Sequence, residues 1–349
     1  MSATSTATDH PNVFANATNT SALQPCPYCG SMQRSRLFSD VRDRLEHAPG
    51  QWAFDRCQEC GAAQLYPTPS HEALPGFYPP IYSFTPEMGK PTALKRFLAQ
   101  LEYRLFYLPQ YEAQVSIVCN QVGSIRAGAR LLDVGCGRGL RLDGFRRRGY
   151  EVWGSDFQPE VVQELRARGF QAVVSDIDHL TEHFHPDTFD LITAFYLLEH
   201  VPHVLQTVQQ AMTLLKPGGW LAAAVPLIDG AQARWFGRKW IHVGEAPRHL
   251  TLPSSTGLKR VMQQAGYTAI TLRPDAALNC AGVMASSLIP EASLTHAYGR
   301  GGWAMLRRLL GGAITLLATP AAWAENHVLR RPSHGIIFGR KTGEVHAHP

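Results

Sequence analysis

Residues 129–139 read ARLLDVGCGRG. An apolar run rich in Leu and Val ends on an acid, and three glycines then alternate with other residues. The first half has the composition of a buried strand. The second has glycine where a chain must turn sharply and let something lie close against its backbone. The same alternation continues downstream. LRLDGFRRRG reads as a helix closed by Gly149, YEVWGSD as a second strand, and PEVVQELRARG as a helix with proline at its start and glycine at its end. QAVVSDI and TFDLITAFYLL are the third and fourth strands, and VPHVLQTVQQAMTLLKPGG is a helix with its stop. WLAAAVPL is a fifth strand, YTAITLRP a sixth and SHGIIFGRKT the last. Short apolar strands alternating with helices predict an α/β chain, with a doubly wound, mostly parallel sheet covered on both faces.

Ligands of such sheets bind at the carboxyl ends of the strands, near the reversal of strand order. Asp133, Gly135, Cys136, Gly137 and Gly139 fall there, as does Asp156 at the end of the second strand, where a carboxylate can bond both hydroxyls of a ribose. Asp176 ends the third strand beside Ile177. The spacing is G-x-G-x-G rather than the G-x-G-x-x-G of dinucleotide sites, and Asp133 would repel a pyrophosphate. A cationic ligand would welcome that acid.

LLDVGCGRG, Asp156, the Ser175–Asp176–Ile177 step, FDLITAFYLLEHVPH and LLKPGGWL, in that order, resemble the successive motifs of class I S-adenosylmethionine-dependent methyltransferases over about residues 126–275. The resemblance implies a Rossmann-like, seven-stranded methyltransferase domain with S-adenosylmethionine as cofactor. The Gly135–Gly139 turn would lie against the methionine and ribose moieties, and Asp133 would support the turn or the amino group. Asp156 and Phe157 would border the ribose, Asp176 and Ile177 the adenine, and Tyr196 the pocket. More loosely, the layout resembles bacterial methyltransferases of sugar, surface-polysaccharide and secondary-metabolite pathways. These carry an N-terminal cysteine ribbon and a segment like WIHVGEAPRHLTLPSSTGLKRVMQQAGY.

Methyl transfer requires alignment of two reactants and, for some acceptors, removal of a proton. Glu199 and His200 lie just past the fourth strand, and an unperturbed histidine titrates near operating pH, so His200 is a candidate base. The alternative is that the pair caps the next helix or lines the cofactor pocket. His249 either touches the acceptor or caps or packs the helix after it, and Trp240 and His242 are weaker candidates for the pocket wall. No D/N-P-P-Y/F motif follows the fourth strand, which favours oxygen or carbon acceptors over nitrogen.

Cys26, Cys29, Cys57 and Cys60 form two C-x-x-C pairs, each followed by glycine. Two such knuckles make a tetrahedral four-thiolate site suited to structural Zn²⁺, in the manner of a zinc ribbon. Cys119, Cys136 and Cys280 stand singly in apolar surroundings and read as small buried residues. The ribbon's Arg34, Arg36, Arg42, Arg44 and Arg56 are offset by Asp40, Asp43, Glu46, Asp55 and Glu59, which argues against nucleic acid as partner.

Hydrophobic residues make up 45% and charged residues 17% of the 349, and the formal net charge is +5; a globular chain is expected, without a dense basic stripe. Its divisions are expected as a disordered tail over 1–24, the ribbon and an ordered linker over 25–85, a helical linker over 86–125, and the methyltransferase domain over 126–349. A helical insertion at about 276–331 would precede the last strand. Leu98, Leu101, Leu105 and Leu108 recur at helical spacing in the linker, where Pro109 should break or kink the helix. The tail lacks the basic and apolar regions of a secretory signal, so a cytoplasmic protein is expected. The uncharged run Leu309–Ala324 has 16 residues, short for a membrane span. Leu306, Leu310, Ala313 and Leu317 share a helical stripe. That stripe would pack on the domain or a dimer partner. Alternatively, residues 303–331 would make peripheral contact with a membrane through Arg307, Arg308, Arg330 and Arg331.

The function expected is S-adenosylmethionine-dependent methylation of a small-molecule or glycoconjugate acceptor. The alternatives are an RNA-modifying methyltransferase and a non-catalytic, cofactor-binding homologue.

Overall fold

The computed structural model describes residues 24–45, 48–70, 73–78, 93–123, 126, 128–290 and 304–343. The expected tail, up to residue 23, lies outside them. So do residues 79–92 of the linker and 291–303 of the insertion.

Strands β1 (Arg34–Val41), β2 (Trp52–Cys57) and β3 (Ala63–Tyr66) form an antiparallel meander in the N-terminal region. Helix α1 (Ala93–Glu102) runs through a π-helical stretch, Tyr103–Tyr107, into α2 (Leu108–Val122). Pro109 therefore neither breaks nor ends the helical path. It lies in the first turn of α2, where its missing N–H costs nothing, and the wider turn before it takes up the mismatch.

The large sheet begins with β4 (Arg130–Val134), α3 (Leu140–Arg147), β5 (Glu151–Asp156), α4 (Pro159–Ala167) and β6 (Gln171–Val174). The chain continues with β7 (Phe189–Phe195), α5 (Val204–Leu214), β8 (Leu215–Pro226), α6 (Ala231–Phe236), β9 (Thr251–Leu252), α7 (Ser255–Gln264) and β10 (Thr268–Pro274). Helices α8 (Ala277–Leu288) and α9 (Ala304–His327) precede β11 (His334–Arg340). Seven strands pair in the order β10-β11-β8-β7-β4-β5-β6. The pairs from β8 to β6 are parallel, and β11 is antiparallel to both its neighbours. This is the doubly wound, Rossmann-like sheet expected from the sequence. The chain builds outward from β4 to β6 and then returns to β4's other side, so the reversal lies between β4 and β7.

Alternation along the strands feeds two cores. Leu132, Val134, Ile192 and Ala194 face α5 and α7, with Val208, Leu258 and Val261. Leu131, Leu191, Ala222 and Phe338 face α2, α3 and α4, with Val115, Phe145 and Leu165.

Three boundaries differ from the sequence reading. The third strand stops at Val174, because Asp176 caps a short 3-10 turn, Ile177–Glu182, by accepting from His179 N at 3.0 Å. The helix after β7 begins at Val204 rather than near Val201, and its N-cap His203 makes no side-chain bond, so neither Glu199 nor His200 is its cap. Lys216-Pro217-Gly218-Gly219 opens β8 rather than closing the helix.

β9 does not join the large sheet. It pairs with β3, Ala63 opposite Leu252 and Gln64 opposite Thr251, and so becomes the fourth strand of the N-terminal sheet. The core beneath mixes Trp52, Phe54 and Leu65 with Trp240, Val243 and Leu250. In the insertion, α9 turns Gly311, Thr315, Ala322, Glu325 and Asn326 inward, with Ala322 against Cys280 and Ala281 of α8. The stripe of Leu306, Leu310, Ala313 and Leu317 faces outward instead, with Leu317 82% exposed. Small residues let the two helices approach, so the large ones are left on the far side. No helix among the described residues is long and apolar enough to cross a membrane.

Candidate functional site

The glycine turn after β4 is built by backbone requirement. Gly135, Gly137 and Gly139 have φ of 65°, 51° and 65°, a region that side-chain-bearing residues seldom adopt. At Gly139 a Cβ would also lie 2.5 Å from Leu165 Cδ2. Asp156, at the tip of β5, ties the turn down: its Oδ2 accepts from Gly137 N and its Oδ1 from Gln158 N, both at 3.0 Å. Burial raises its pKa, and those backbone N–H groups oppose the rise. Phe157 beside it is about half exposed and meets Tyr78 edge-on.

Asp133 is buried at the end of β4 and accepts from Thr193 Oγ1 at 2.7 Å. Burial first of all pushes its pKa up to about 6, opposed by Arg141 and by the threonine. Cys136 is buried within the turn, and burial likewise raises its thiol well above the ordinary value. Asp176 bonds His179 at its backbone and ring, while Ile177 next to it is buried. Tyr196 bears a φ of 58°, and its hydroxyl joins Asp275, Asn279 and Gln114 rather than standing open. Gln114 of α2 bonds both oxygens of Asp275 at 3.0 and 2.8 Å and accepts from Arg141 Nε at 2.8 Å. This network fastens α2 and α8 over the carboxyl edge of the sheet. Sequence reading missed it, since Gln114, Arg141 and Asp275 belong to no local pattern.

The residues expected to do chemistry converge from three parts of the chain. Glu199 is buried, and its backbone oxygen accepts from Leu250 N at 2.8 Å and Thr251 N at 3.2 Å. Burial, before any other cause, holds its carboxyl well above the usual range. His200 Nδ1 lies 3.0 Å from the carbonyl of Arg248 and 3.1 Å from Tyr78 Oη. A carbonyl can only accept, so Nδ1 carries the proton and Nε2 the lone pair. The pKa of His200 is not near neutrality as expected. Burial, reinforced by His249, brings it down to about 3, so the ring is neutral across the physiological range. His249 stacks edge-on against His200 at 4.7 Å and bonds the carbonyl of His242 through Nδ1 at 2.9 Å. It does not cap the following helix; Ser254 does, accepting from Gly257 N at 2.9 Å. Glu245, Arg248 and His334, which sequence reading passed over, complete this wall. Glu245 stands four residues before His249, a spacing that could have marked it. Arg248 is fully buried and bonds both oxygens of Asp43, at 2.7 and 2.8 Å, across 205 residues with no local trace.

The four ribbon cysteines converge, with sulfurs within 4.8 Å of one another. Cys26 and Cys60 are 3.6 Å apart, and Cys29 and Cys57 3.5 Å. Gly30 N and Gly61 N bond back to Cys26 O and Cys57 O, at 2.8 and 3.0 Å, closing both knuckles with φ of 75° and 79°. A Zn²⁺ ion with bonds of about 2.3 Å would hold sulfurs roughly 3.8 Å apart, so the set fits such an ion with small relaxation. The ribbon is locked to the wall that carries Glu199, His200 and His249. Tyr28 Oη meets Thr251 Oγ1 at 2.9 Å, and Ser254 Oγ donates to Cys60 O.

Residues 104–272 match the family model described as a methyltransferase domain. Over 100 residues the chain is 38% identical to a ubiquinone biosynthesis O-methyltransferase of Xanthomonas campestris pv. campestris (strain B100), covering 27% of this chain and 41% of that protein. A protein of the same name from Paracidovorax citrulli (strain AAC00-1) is 37% identical over 101 residues, covering 27% of this chain and 42% of the relative. The chain thus spans about two fifths of the length of these curated relatives. Among solved structures, Haemonchus contortus phosphoethanolamine N-methyltransferase 2 in complex with S-adenosyl-L-methionine aligns at 16% identity and a TM-score of 0.47, over 72% of this chain and 60% of that one. The match spans the strands that carry the glycine turn at the sheet's reversal, and over residues 104–272 the chain is similar to a methyltransferase domain.

Proposed function

We propose that the protein transfers the methyl group of S-adenosylmethionine to an oxygen of a small-molecule acceptor. One observation carries the reading: the Gly135–Gly139 turn is tied to Asp156 at the strand-order reversal, inside a methyltransferase domain. The curated relatives named as O-methyltransferases support oxygen as the recipient. The cofactor supplies a methyl group already activated on a sulfonium. The chain's own contribution is position and charge. Asp133 and the turn favour a cation, and Asp156 exchanges its N–H bonds for ribose hydroxyls. His200 offers Nε2 to the acceptor's proton, as a weak base while it is buried and a stronger one once an acceptor's charge develops beside it. The four cysteines hold a structural Zn²⁺.

A glycoconjugate is the narrower form of this acceptor class, and the cytoplasm is the proposed location. The leucines exposed along α9, with Arg307, Arg330 and Arg331 exposed at its ends, support peripheral contact with an anionic membrane and hence a lipid-linked acceptor. The same face is the surface for a homodimer if the protein pairs. RNA is disfavoured as acceptor because two of the ribbon's arginines are engaged within the protein: Arg36 pairs with Asp55 at 2.5 Å, and Arg44 bonds the carbonyl of Ser287 in α8 at 3.1 Å.

Transfer of labelled methyl from S-adenosylmethionine into fractionated cell extract tests the reading, with Asp156→Ala as control. Label in a small-molecule or lipid-soluble fraction, lost in the variant, supports it. Label that follows RNA overturns the acceptor class, and cofactor binding without transfer to any fraction overturns the activity.

A further inference from the structure

The segment between α6 and β9 gathers ligand-capable side chains in the protein interior, apart from the cysteines. His242, Glu245 and His249 are 7%, 3% and 2% exposed, and each offers a donor atom within 4.8 Å of the other two. His242 Nδ1 stands 3.6 Å from Glu245 Oε1, and His249 Nε2 stands 3.5 Å from Glu245 Oε2. These separations are long for hydrogen bonds, which run at about 2.7–3.2 Å. Each nitrogen, facing its own carboxylate oxygen, stands instead at the spacing of neighbouring donors around a metal ion. Bonds of about 2.0–2.2 Å place neighbouring donors roughly 3.3–3.6 Å apart.

The far side of each ring is held in the way metal-ligating histidines are held. His249 Nδ1 bonds the carbonyl of His242 at 2.9 Å, which leaves the lone pair on Nε2, the nitrogen facing Glu245. His242 Nε2 meets His334 Nε2 at 2.7 Å, which leaves Nδ1 toward the same carboxylate. A second observation points to a cation here. Glu199 is 1% exposed, its Oε2 has no hydrogen-bond partner among the described residues, and it lies with His200 within 4.8 Å of a donor atom of His249. An unpaired carboxylate oxygen in the interior is costly, and a metal ion is one of the few groups that satisfy it. The guanidinium in the same segment, Arg248, is engaged by both oxygens of Asp43.

We propose that His242, Glu245 and His249 bind one divalent transition-metal ion, through Nδ1, a carboxylate oxygen and Nε2, at a site separate from the four cysteines. Two imidazoles and a carboxylate suit Zn²⁺ and its first-row neighbours. Three protein ligands leave a position open for Glu199, for water or for an oxygen of the acceptor. The proposal concerns ion binding and stands whether or not the methyl-transfer reading does.

Co²⁺ titrated into the metal-stripped full-length chain tests it, because a thiolate site gives strong sulfur-to-cobalt absorption and a nitrogen–oxygen site does not. The wild-type protein should take up two equivalents, one with thiolate absorption and one with weaker ligand-field bands alone. Glu245→Gln and His249→Gln should each weaken the second equivalent tenfold or more. They should retain the thiolate absorption, which reports that the ribbon is still folded. Saturation of the wild type at a single equivalent with full thiolate absorption overturns the proposal, as does an unweakened second equivalent in both variants.

Discussion

Asp133 shows how one buried group can couple cofactor binding to pH. Its carboxyl is enclosed, accepts from Thr193 Oγ1 at 2.7 Å, and faces the charges of Arg141 and Asp156. Because burial raises its folded pKa to about 6, the free protein binds a proton there more readily than the unfolded chain does. The stabilisation from that proton is complete below the ordinary carboxylate range and is lost as pH rises toward 6. A cationic ligand beside the carboxylate reverses the preference, since it favours the ionised form. Affinity for S-adenosylmethionine should therefore be flat above about pH 7 and fall by up to tenfold per unit below 6, as measured by calorimetric titration. Asp133→Asn should bind more weakly at pH 7 and show no such fall around pH 6. If the variant keeps the wild-type profile, the ligand's charge is felt by another group, and Asp156 becomes the first suspect. The place of Asp133 at a strand end before three glycines was legible in the sequence. Its perturbed pKa was not, because burial depends on what packs around it. The same holds for His200, whose burial between Tyr78, Arg248 and His249 takes its pKa down to about 3.

At the scale of elements, the turn after β4 and the start of α3 share one steric demand, and a pair of substitutions separates its two parts. Gly139 combines a φ of 65° with a neighbour only 2.5 Å from where a Cβ would stand, and that neighbour, Leu165 of α4, is fully buried. Gly149, at the end of α3, has a φ of 91° but open space around it. Gly149→Ala should thus cost only the backbone term, about 1–2 kcal/mol. Gly139→Ala should cost roughly 2–5 kcal/mol, because overpacking against α4 adds about 1–3 to the same term. Denaturant unfolding of the two variants compares them directly, and equal losses would mean that α4 yields without strain. The glycine pattern and the βαβ rhythm are short-range signals, which is why the strands and the helices between them could be placed from the sequence. β9 could not be. Two residues, Thr251 and Leu252, join a sheet whose other strands lie some 190 residues earlier, and the pairing is set by Ala63 and Gln64 rather than by anything near β9. Likewise the stripe on α9 was visible as a period, but its direction was decided by Gly311, Thr315 and Ala322 packing inward.

On the scale of the whole molecule, the ribbon is joined to the wall that carries His200 and His249, and this gives the cysteine cluster a consequence at a distance. Cys26, Tyr28, Cys57, Cys60 and Ala62 belong to the same buried cluster as Leu258 and Val261 of α7, and β3 carries β9 as its edge partner. The buried pair of Arg248 and Asp43 spans the same junction, and losing one side of such a pair costs about 3–5 kcal/mol. A structural Zn²⁺ contributes on the order of 10 kcal/mol to folding of a small metal-dependent unit, more than the short strands of the ribbon can replace. Cys57→Ser, which takes a buried ligand from the cluster, should therefore loosen more than the ribbon. Backbone hydrogen exchange should lose protection at Ala63–Tyr66 and, in step with it, at Trp240–Leu252, while Arg130–Val134 and Leu221–Val225 stay protected because the core that their other face makes with α2, α3 and α4 holds no ribbon cysteine. Cofactor affinity would then fall little, since the turn and Asp156 rest on those protected strands, whereas turnover would fall with the wall that carries His249. Loss of protection confined to the ribbon would mean that the wall holds itself, and that the cysteines serve the N-terminal sheet alone. Loss everywhere would mean that the two sheets fold as one unit, with the metal at its root.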